Sequence, residues 1–393
     1  RIMNSSRIWK TALLVAIPAV MWFMTPPTGL SVLAWRIFAI YFSAILGLVL
    51  KPFSEPVIMV SAVAASSIFL NNTKDVLSGY ASTTTWIVFA AFSLSTAFVA
   101  TGLGQRIAYI LIDKLGSTTL RLGYVTAILD CLVSPATPSN TARAGGIVFP
   151  IMNSVSLALG SDPVNSPKKA GSYLMINTYM VTKVTSFMFL TAMAPNVLAS
   201  DYMIKLLNVN IDWLLWAKAM VIPGLVLLAI MPYLVYKMVT PEMKELDNKA
   251  IAAEGLAKLG PMKQSEKSLV FVFILALLGW SMPAILQQGF GIKIALDSTA
   301  VAIAAMALVF LLGVMPWSEM EKAKGGWNTL IWFGGIIGLS SVLSKAKFFD
   351  WLAKVMQANL NFGDNSTVTL WIIVFVSVAV RYLFASGSAY VVA

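Results

Sequence analysis

Residues 134–143 read Ser134-Pro135-Ala136-Thr137-Pro138-Ser139-Asn140-Thr141-Ala142-Arg143, two prolines and a polar cluster inside an otherwise apolar stretch. Each proline removes a backbone donor and clashes with the preceding turn, so a helix entering from Leu122 ends here. That first arm, residues 122–134, reaches about 20 Å as a helix, short of a roughly 30 Å hydrocarbon core. The chain then continues through Gly145, Gly146 and Pro150. Arg121 stands before the stretch, and Lys168 and Lys169 follow it. Basic flanks mark the cytoplasmic side of a membrane, and two cytoplasmic flanks require an even number of crossings. Residues 122–159 therefore read as a re-entrant hairpin opening to the cytoplasm, with one kinked span as the other reading. Polar backbone at such depth persists only where protein or a water-filled cavity satisfies it.

The rest of the chain supports a membrane setting. Apolar residues make up 58% and charged residues 11% of 393, and the mean hydropathy is +0.81. A soluble domain carries about a quarter charged residues. Apolar runs recur at residues 9–24, 30–50, 56–70, 84–103, 213–236, 269–286, 298–315, 327–343 and 367–385. The fold class expected is an all-α polytopic membrane protein. The net charge of +11 reads as topology charge beside anionic lipid and not as a nucleic-acid surface. A single cysteine, Cys131, allows no internal disulfide, and the lack of histidine removes the usual proton relay and the commonest metal ligand. No cofactor or metal is expected.

Arg1, Arg7 and Lys10 put the N-terminus in the cytoplasm, and the uncharged residues 25–29 read as external. Residues 106–115 form a short amphipathic arm at the cytoplasmic surface. An internal repeat follows. Trp86-Ile87-Val88-Phe89-Ala90-Ala91 matches Leu330-Ile331-Trp332-Phe333-Gly334-Gly335 in pattern, the arm at 106–115 matches 348–356, and Ser139-Asn140-Thr141-Ala142 matches Ser386-Gly387-Ser388-Ala389. An odd number of crossings separates the copies, so they have inverted topology, the architecture of many secondary transporters. Residues 364–393 then begin a second hairpin, opening to the outside. By the repeat, roughly 90 further residues would complete the second copy, so the chain is expected to be truncated there.

Ser139, Asn140 and Thr141 are neutral donors suited to a carboxylate, although the same residues can serve only to cap the second arm. Carriers of the divalent-anion/sodium symporter family place a Ser-Asn-Thr motif at the tip of each of two opposed hairpins, and Ser139-Asn140-Thr141 matches the first. The decapeptide Ser134–Arg143 resembles the branch containing bacterial citrate or tartrate/succinate antiporters and plastid 2-oxoglutarate/malate translocators. The second motif, Ser386-Gly387-Ser388, has Gly387 in the Asn position. The resemblance implies an ion-transporter-superfamily fold with two re-entrant hairpins and broken helices. It implies a homodimer working by an elevator-type movement, and a substrate site made of both tips together with the turn Thr191-Ala192-Met193-Ala194-Pro195-Asn196. Sodium-coupled relatives carry a serine where this chain has Pro135, so a hard cation would find fewer ligands.

Fixed cations can replace that ion. Arg143 sits just past the tip, Lys183 lies mid-span within residues 171–196, and Arg381 belongs to the second hairpin. Intramembrane ionisable residues are functional candidates, and Asp130 is the one acid of comparable depth; Lys183 or Arg143 can instead pair with it structurally. The site expected comprises Ser139, Asn140, Thr141, Arg143, Lys183, Pro195, Asn196, Ser386, Gly387 and Ser388. The expected domains are residues 1–121 (scaffold), 122–236 (transport), 237–267 (charged cytoplasmic linker), 268–358 (scaffold) and 359–393 (start of the external hairpin). The expected function is exchange of small di- or tricarboxylates such as malate, succinate, 2-oxoglutarate, tartrate or citrate, with sodium- or proton-coupled symport as the alternative. No nucleophile or paired acids suit an intramembrane enzyme. A bacterial inner membrane is expected, with a plastid inner envelope as the alternative.

Overall fold

The computed structural model describes residues 5–359, 366–382, 390 and 391. Among them the chain is helical with no strand; the one isolated backbone bridge pairs Thr118 with Glu245. Each apolar run of the sequence contains a helix that takes up most of its described part. Six of these helices are long and apolar enough to cross a membrane: Ser6–Phe23, Val32–Leu50, Thr83–Thr101, Trp213–Met238, Gln264–Phe290 and Lys324–Lys345. Glu55–Leu70, Ser298–Leu311 and Thr367–Arg381 are shorter apolar helices. Their outward faces are hydrocarbon: Phe23 is 88% and Leu311 80% exposed. Apolar exposure on that scale suits lipid, not water. The protein is an all-α polytopic membrane protein.

The chain forms two compact units, one of Arg1–Trp86 with Trp327–Ala393 and one of Ile87–Gly326. In the first unit, helices Ser5–Phe23 and Val32–Leu50 run antiparallel. Lys10 Nζ donates to the Leu50 carbonyl at 3.0 Å, Ser43 Oγ to Leu14 at 2.6 Å, and Trp35 Nε1 to Met21 at 2.8 Å. Ser31 caps the second helix by accepting from Ala34 N–H, the role its short oxygen favours. Farther on, the tight turn Ser78–Ala81 lies against helix Lys324–Lys345. Tyr80 O–H donates to the Ile331 carbonyl at 2.9 Å. Gly338 is glycine for contact, not for conformation, because a Cβ there would collide with the Val76 carbonyl oxygen.

The second unit is built around the broken segment read from the sequence. Helix Thr119–Val133 ends in the 3-10 turn Ser134–Ala136, and a new helix starts at Asn140 with Ser139 Oγ accepting from Ala142 N–H. A π turn at Ala144–Val148 precedes helix Phe149–Ala158. The wider turn sits just ahead of Pro150, whose ring brings no N–H. Helix Gly171–Met188 runs parallel to the first arm. Asn177 Nδ2 donates to Gly123 O at 3.0 Å near one end, and Asp130 meets Thr182 and Thr185 near the other. Helix Trp213–Met238 returns antiparallel: Trp216 Nε1 donates to Phe187 O, while Tyr173 O–H donates to Pro232 O.

One extended segment closes the far ends of these helices. Thr119 N–H donates to Lys244 O at 3.0 Å and Leu246 N–H to Ser117 O at 3.3 Å; Glu242 and Met243 N–H donate to Lys168 and Lys169 O, each at 3.0 Å. The charged stretch that follows is docked. In helix Asn248–Leu259, Asn248 Nδ2 donates to the carbonyls of Ile112 and Asp113, and Gly255 packs on the Tyr109 ring. Arg106 grips Glu266 through two nitrogens, at 2.7 and 3.1 Å.

The glycine contact gives a clean test. Gly338→Ala should cost about 1–3 kcal/mol or more, since overpacking against backbone cannot relax by side-chain rotation. Gly289→Ala, with open space around it, should leave the thermal unfolding midpoint in detergent unchanged or raised. Equal midpoints for the two variants would contradict the contact.

Candidate functional site

The chain reverses through 134–139, which brings Asp130 of the first arm beside Arg143 of the second. Both side chains are fully buried, and Arg143 Nε lies 3.0 Å from Asp130 Oδ1. The remaining donors of the guanidinium are also engaged. Nη1 donates to the Thr137 carbonyl at 2.9 Å and the Ala192 carbonyl at 3.1 Å. Nη2 donates to Thr185 Oγ1 at 3.0 Å and Asn140 Oδ1 at 3.4 Å. Arginine has five N–H groups in a fixed fork, and all five find acceptors here. Thr185 O–H in turn donates to Asp130 Oδ2 in a short bond, and Thr182 reaches Oδ1 at 3.4 Å.

Opposite the tip, helix Gly171–Met188 stops, and the chain crosses Leu190–Ala192 before helix Ala194–Leu207 begins. The break is stitched to the tip by Ala194 N–H donating to Pro138 O at 2.8 Å and by Thr191 O–H donating to Pro135 O. Trp213 Nε1 donates to Thr191 Oγ1 at 3.0 Å, and its ring stacks between Phe189 and Trp280. Asn196 Nδ2 takes the carbonyls of Ser186 at 2.7 Å and Phe189 at 3.1 Å, two groups that the helix end leaves unpaired. Pro195 is buried in the first turn of the new helix.

The predicted residues therefore fall into distinct positions. Ser139 and Asn140 are half-buried and Thr141 is exposed, side by side at the tip. Asn140 Oδ1 is held by Arg143, so its amide N–H₂ points away and meets only the Met193 sulfur at 4.0 Å. Lys183 projects from the exposed face of its helix, 4.9 Å from the Tyr179 ring centre, and pairs with no acid among the described residues. Asp130 is spent on Arg143. Ser386, Gly387 and Ser388 lie outside the described residues. Thr182 and Thr185 were not singled out from the sequence, and Thr191 was named only as the start of the turn. Their signal was the i,i+3 spacing of two threonines on one helix face and a third at the break.

The sequence profile of the sodium:sulfate symporter transmembrane region matches residues 5–393. The chain is 56% identical over 398 residues to the inner membrane protein YbhI of Escherichia coli strain K12, covering all of this chain and 82% of that protein. It is 38% identical over 365 residues to the putative malate transporter YflS of Bacillus subtilis strain 168, covering 92% and 73%. It is 33% identical over 405 residues to the citrate/succinate antiporter of Escherichia coli strain K12, covering 98% and 82%. The chain belongs to the sodium:sulfate symporter family, the divalent-anion/sodium symporters, and is a membrane transporter and not an enzyme.

Proposed function

We propose that this chain exchanges small di- or tricarboxylates across a bacterial inner membrane, binding them between the hairpin tip and the broken helix. The observation that carries the reading is the division of labour at the tip. Arg143 is consumed internally, while among the described residues Ser139 O–H and Thr141 O–H donate to no acceptor and the Asn140 amide meets only the weak Met193 sulfur. Neutral donors grouped on a rigid turn suit a carboxylate. The Arg143 cation joins both arms and the break at once, the mechanical task that a bound sodium ion would otherwise perform. A coupling ion is then unnecessary, and exchange replaces symport. Relatives named as citrate/succinate and L-tartrate/succinate antiporters favour the same reading. Lys183 supplies charge toward the substrate.

The re-entrant geometry is supported by the segment 242–246, which binds Ser117 and Thr119 before the hairpin and Lys168 and Lys169 after it. The repeat is supported by matching helix ends. Lys345 follows Thr101 by 244 residues, and helices Leu103–Leu115 and Phe348–Asn359 come next in each copy. In the elevator reading, residues 122–236 with 359–393 move against a scaffold of 1–121 and 268–358 in a homodimer, and 237–267 joins them.

Uptake of labelled dicarboxylate into liposomes should require an internal counter-anion. Robust uptake into empty vesicles driven by sodium alone would overturn exchange. Asn140→Ala should weaken binding roughly 10- to 100-fold, the worth of one hydrogen bond to a charged group, without loss of folding. Lys183→Met should abolish exchange and Lys183→Arg should keep part of it; wild-type rates in Lys183→Met would remove that residue from the site.

Arg143 is tested by folding. Arg143→Met strands the buried Asp130 charge and should cost about 3–5 kcal/mol, read as a fall in the unfolding midpoint that Asp130→Asn restores. A stable single variant with weakened binding would instead make Arg143 a ligand. For topology, Arg121→Cys and Asn165→Cys, with Cys131 replaced, should both label from the cytoplasmic face only. Labelling from opposite faces would make the segment a full span.

A further inference from the structure

Helices Ser5–Phe23, Val32–Leu50 and Glu55–Leu70 frame a half-open cavity of about 540 Å³, within the roughly 300–1,000 Å³ of ordinary ligand pockets. Its wall is made of side chains such as Leu14, Pro18, Trp22, Phe53, Ile58 and Phe69. The three hydroxyl residues on that wall are already satisfied. Thr11 donates to Arg7 O, Ser43 to Leu14 O and Ser61 to Val57 O. Such a cavity offers water and polar solutes nothing to bind and stays dry unless hydrocarbon fills it.

The mouth of the cavity has a different character. Arg7 lies one turn before Thr11, with its guanidinium carbon 4.3 Å from the centre of the Phe53 ring. Its Nε is buried without an acceptor. Lys10 and Lys51 stand at the same end, Lys10 bound to the Leu50 carbonyl and Lys51 paired with Glu55. A half-buried cation with a buried, unspent N–H calls for an anion. At the opposite mouth Arg36, likewise with a buried unpartnered Nε, lies 4.7 Å from the Trp22 ring centre, without further basic neighbours on the cavity's wall.

We propose that this cavity is a lipid site that takes one acyl chain of an anionic phospholipid, with its phosphate on Arg7. The basic end belongs to the cytoplasmic leaflet by loop charge, where anionic headgroups and basic side chains attract. The occupant differs from the transported anion in both size and polarity, and nothing in the site at the hairpin tip is needed for it.

The test uses the full chain incubated with vesicles of equal phosphatidylglycerol and phosphatidylcholine, re-extracted in detergent and weighed by native mass spectrometry. About one phosphatidylglycerol should be retained per chain. Arg7→Gln should lower retention roughly tenfold and Arg7→Lys should restore most of it. Ala65→Phe, which fills the cavity, should abolish retention while the unfolding midpoint holds; Ala19→Phe serves if that variant does not fold. Equal retention of both lipids, undiminished binding in the filled variant, or loss through Arg36→Gln and not Arg7→Gln would each overturn the proposal.

Discussion

A charge taken out of water costs several kcal/mol unless a partner and hydrogen bonds replace the solvent. The hairpin tip meets that condition through a single guanidinium. Arg143 binds an acid from the first arm, a carbonyl from the turn, a carbonyl from the facing break and a hydroxyl from the neighbouring helix. Every one of those acceptors must be in place for the cation to be tolerated, so the ion pair enforces the geometry around it. The path of residues 134–139, the point at which helix Gly171–Met188 stops, and the orientation of the Asn140 amide all follow from it. Because the pair is neutral overall, it shapes the site without setting its charge. In the proposed function, the donors at the tip and the exposed ammonium of Lys183 are what the anion meets.

How much of this could be read from residues alone depends on how local each cause is. Two prolines three residues apart, Pro135 and Pro138, end the helix where single ones such as Pro223 and Pro283 are carried inside theirs, and Ser139 caps the next helix by reaching its own third neighbour; both were legible. So were the apolar spans and the two amphipathic arms, whose periodicity is written in the chain. The commitments of Arg143 were not. Two of its acceptors are backbone carbonyls of Thr137 and Ala192, and every residue offers a carbonyl, so composition gives no hint of which will be used. Asn196 has the same history: it fits a binding motif, yet its side-chain donor ties the carbonyls of Ser186 and Phe189 across the break. The docking of Asn248–Leu259 on the arm at Leu103–Leu115 was hidden too. A run of charges suggests exposure, and only the partner surface reveals that Ala252 and Gly255 are its inner face.

The lipid-facing side and the site obey opposite rules within one chain. On the outer helices, hydroxyls bond to their own or a neighbouring backbone and leave an apolar wall. At the tip, Ser139 Oγ accepts from the Ala142 N–H, Thr185 serves the Asp130 carboxylate and Thr191 ties the facing turn to Pro135, so hydroxyls there join separate segments and caps. The same residue types, Ser and Thr, therefore mean different things in the two places, and the difference lies in what their oxygens already bind.

The order in which these contacts become available has a consequence for biogenesis. Asp130 and Arg143 lie only thirteen residues apart, so the nascent hairpin can cancel its own charges as soon as its second arm leaves the ribosome. Thr185 and Ala192 emerge later, and the strap at residues 242–246 later still, after helix Trp213–Met238 has been made. The hairpin is thus electrically ready for the bilayer before it is mechanically locked. In the re-entrant reading, an element too short to be recognised as a span waits at the translocon as a neutral loop and is drawn into place by the helices synthesised after it.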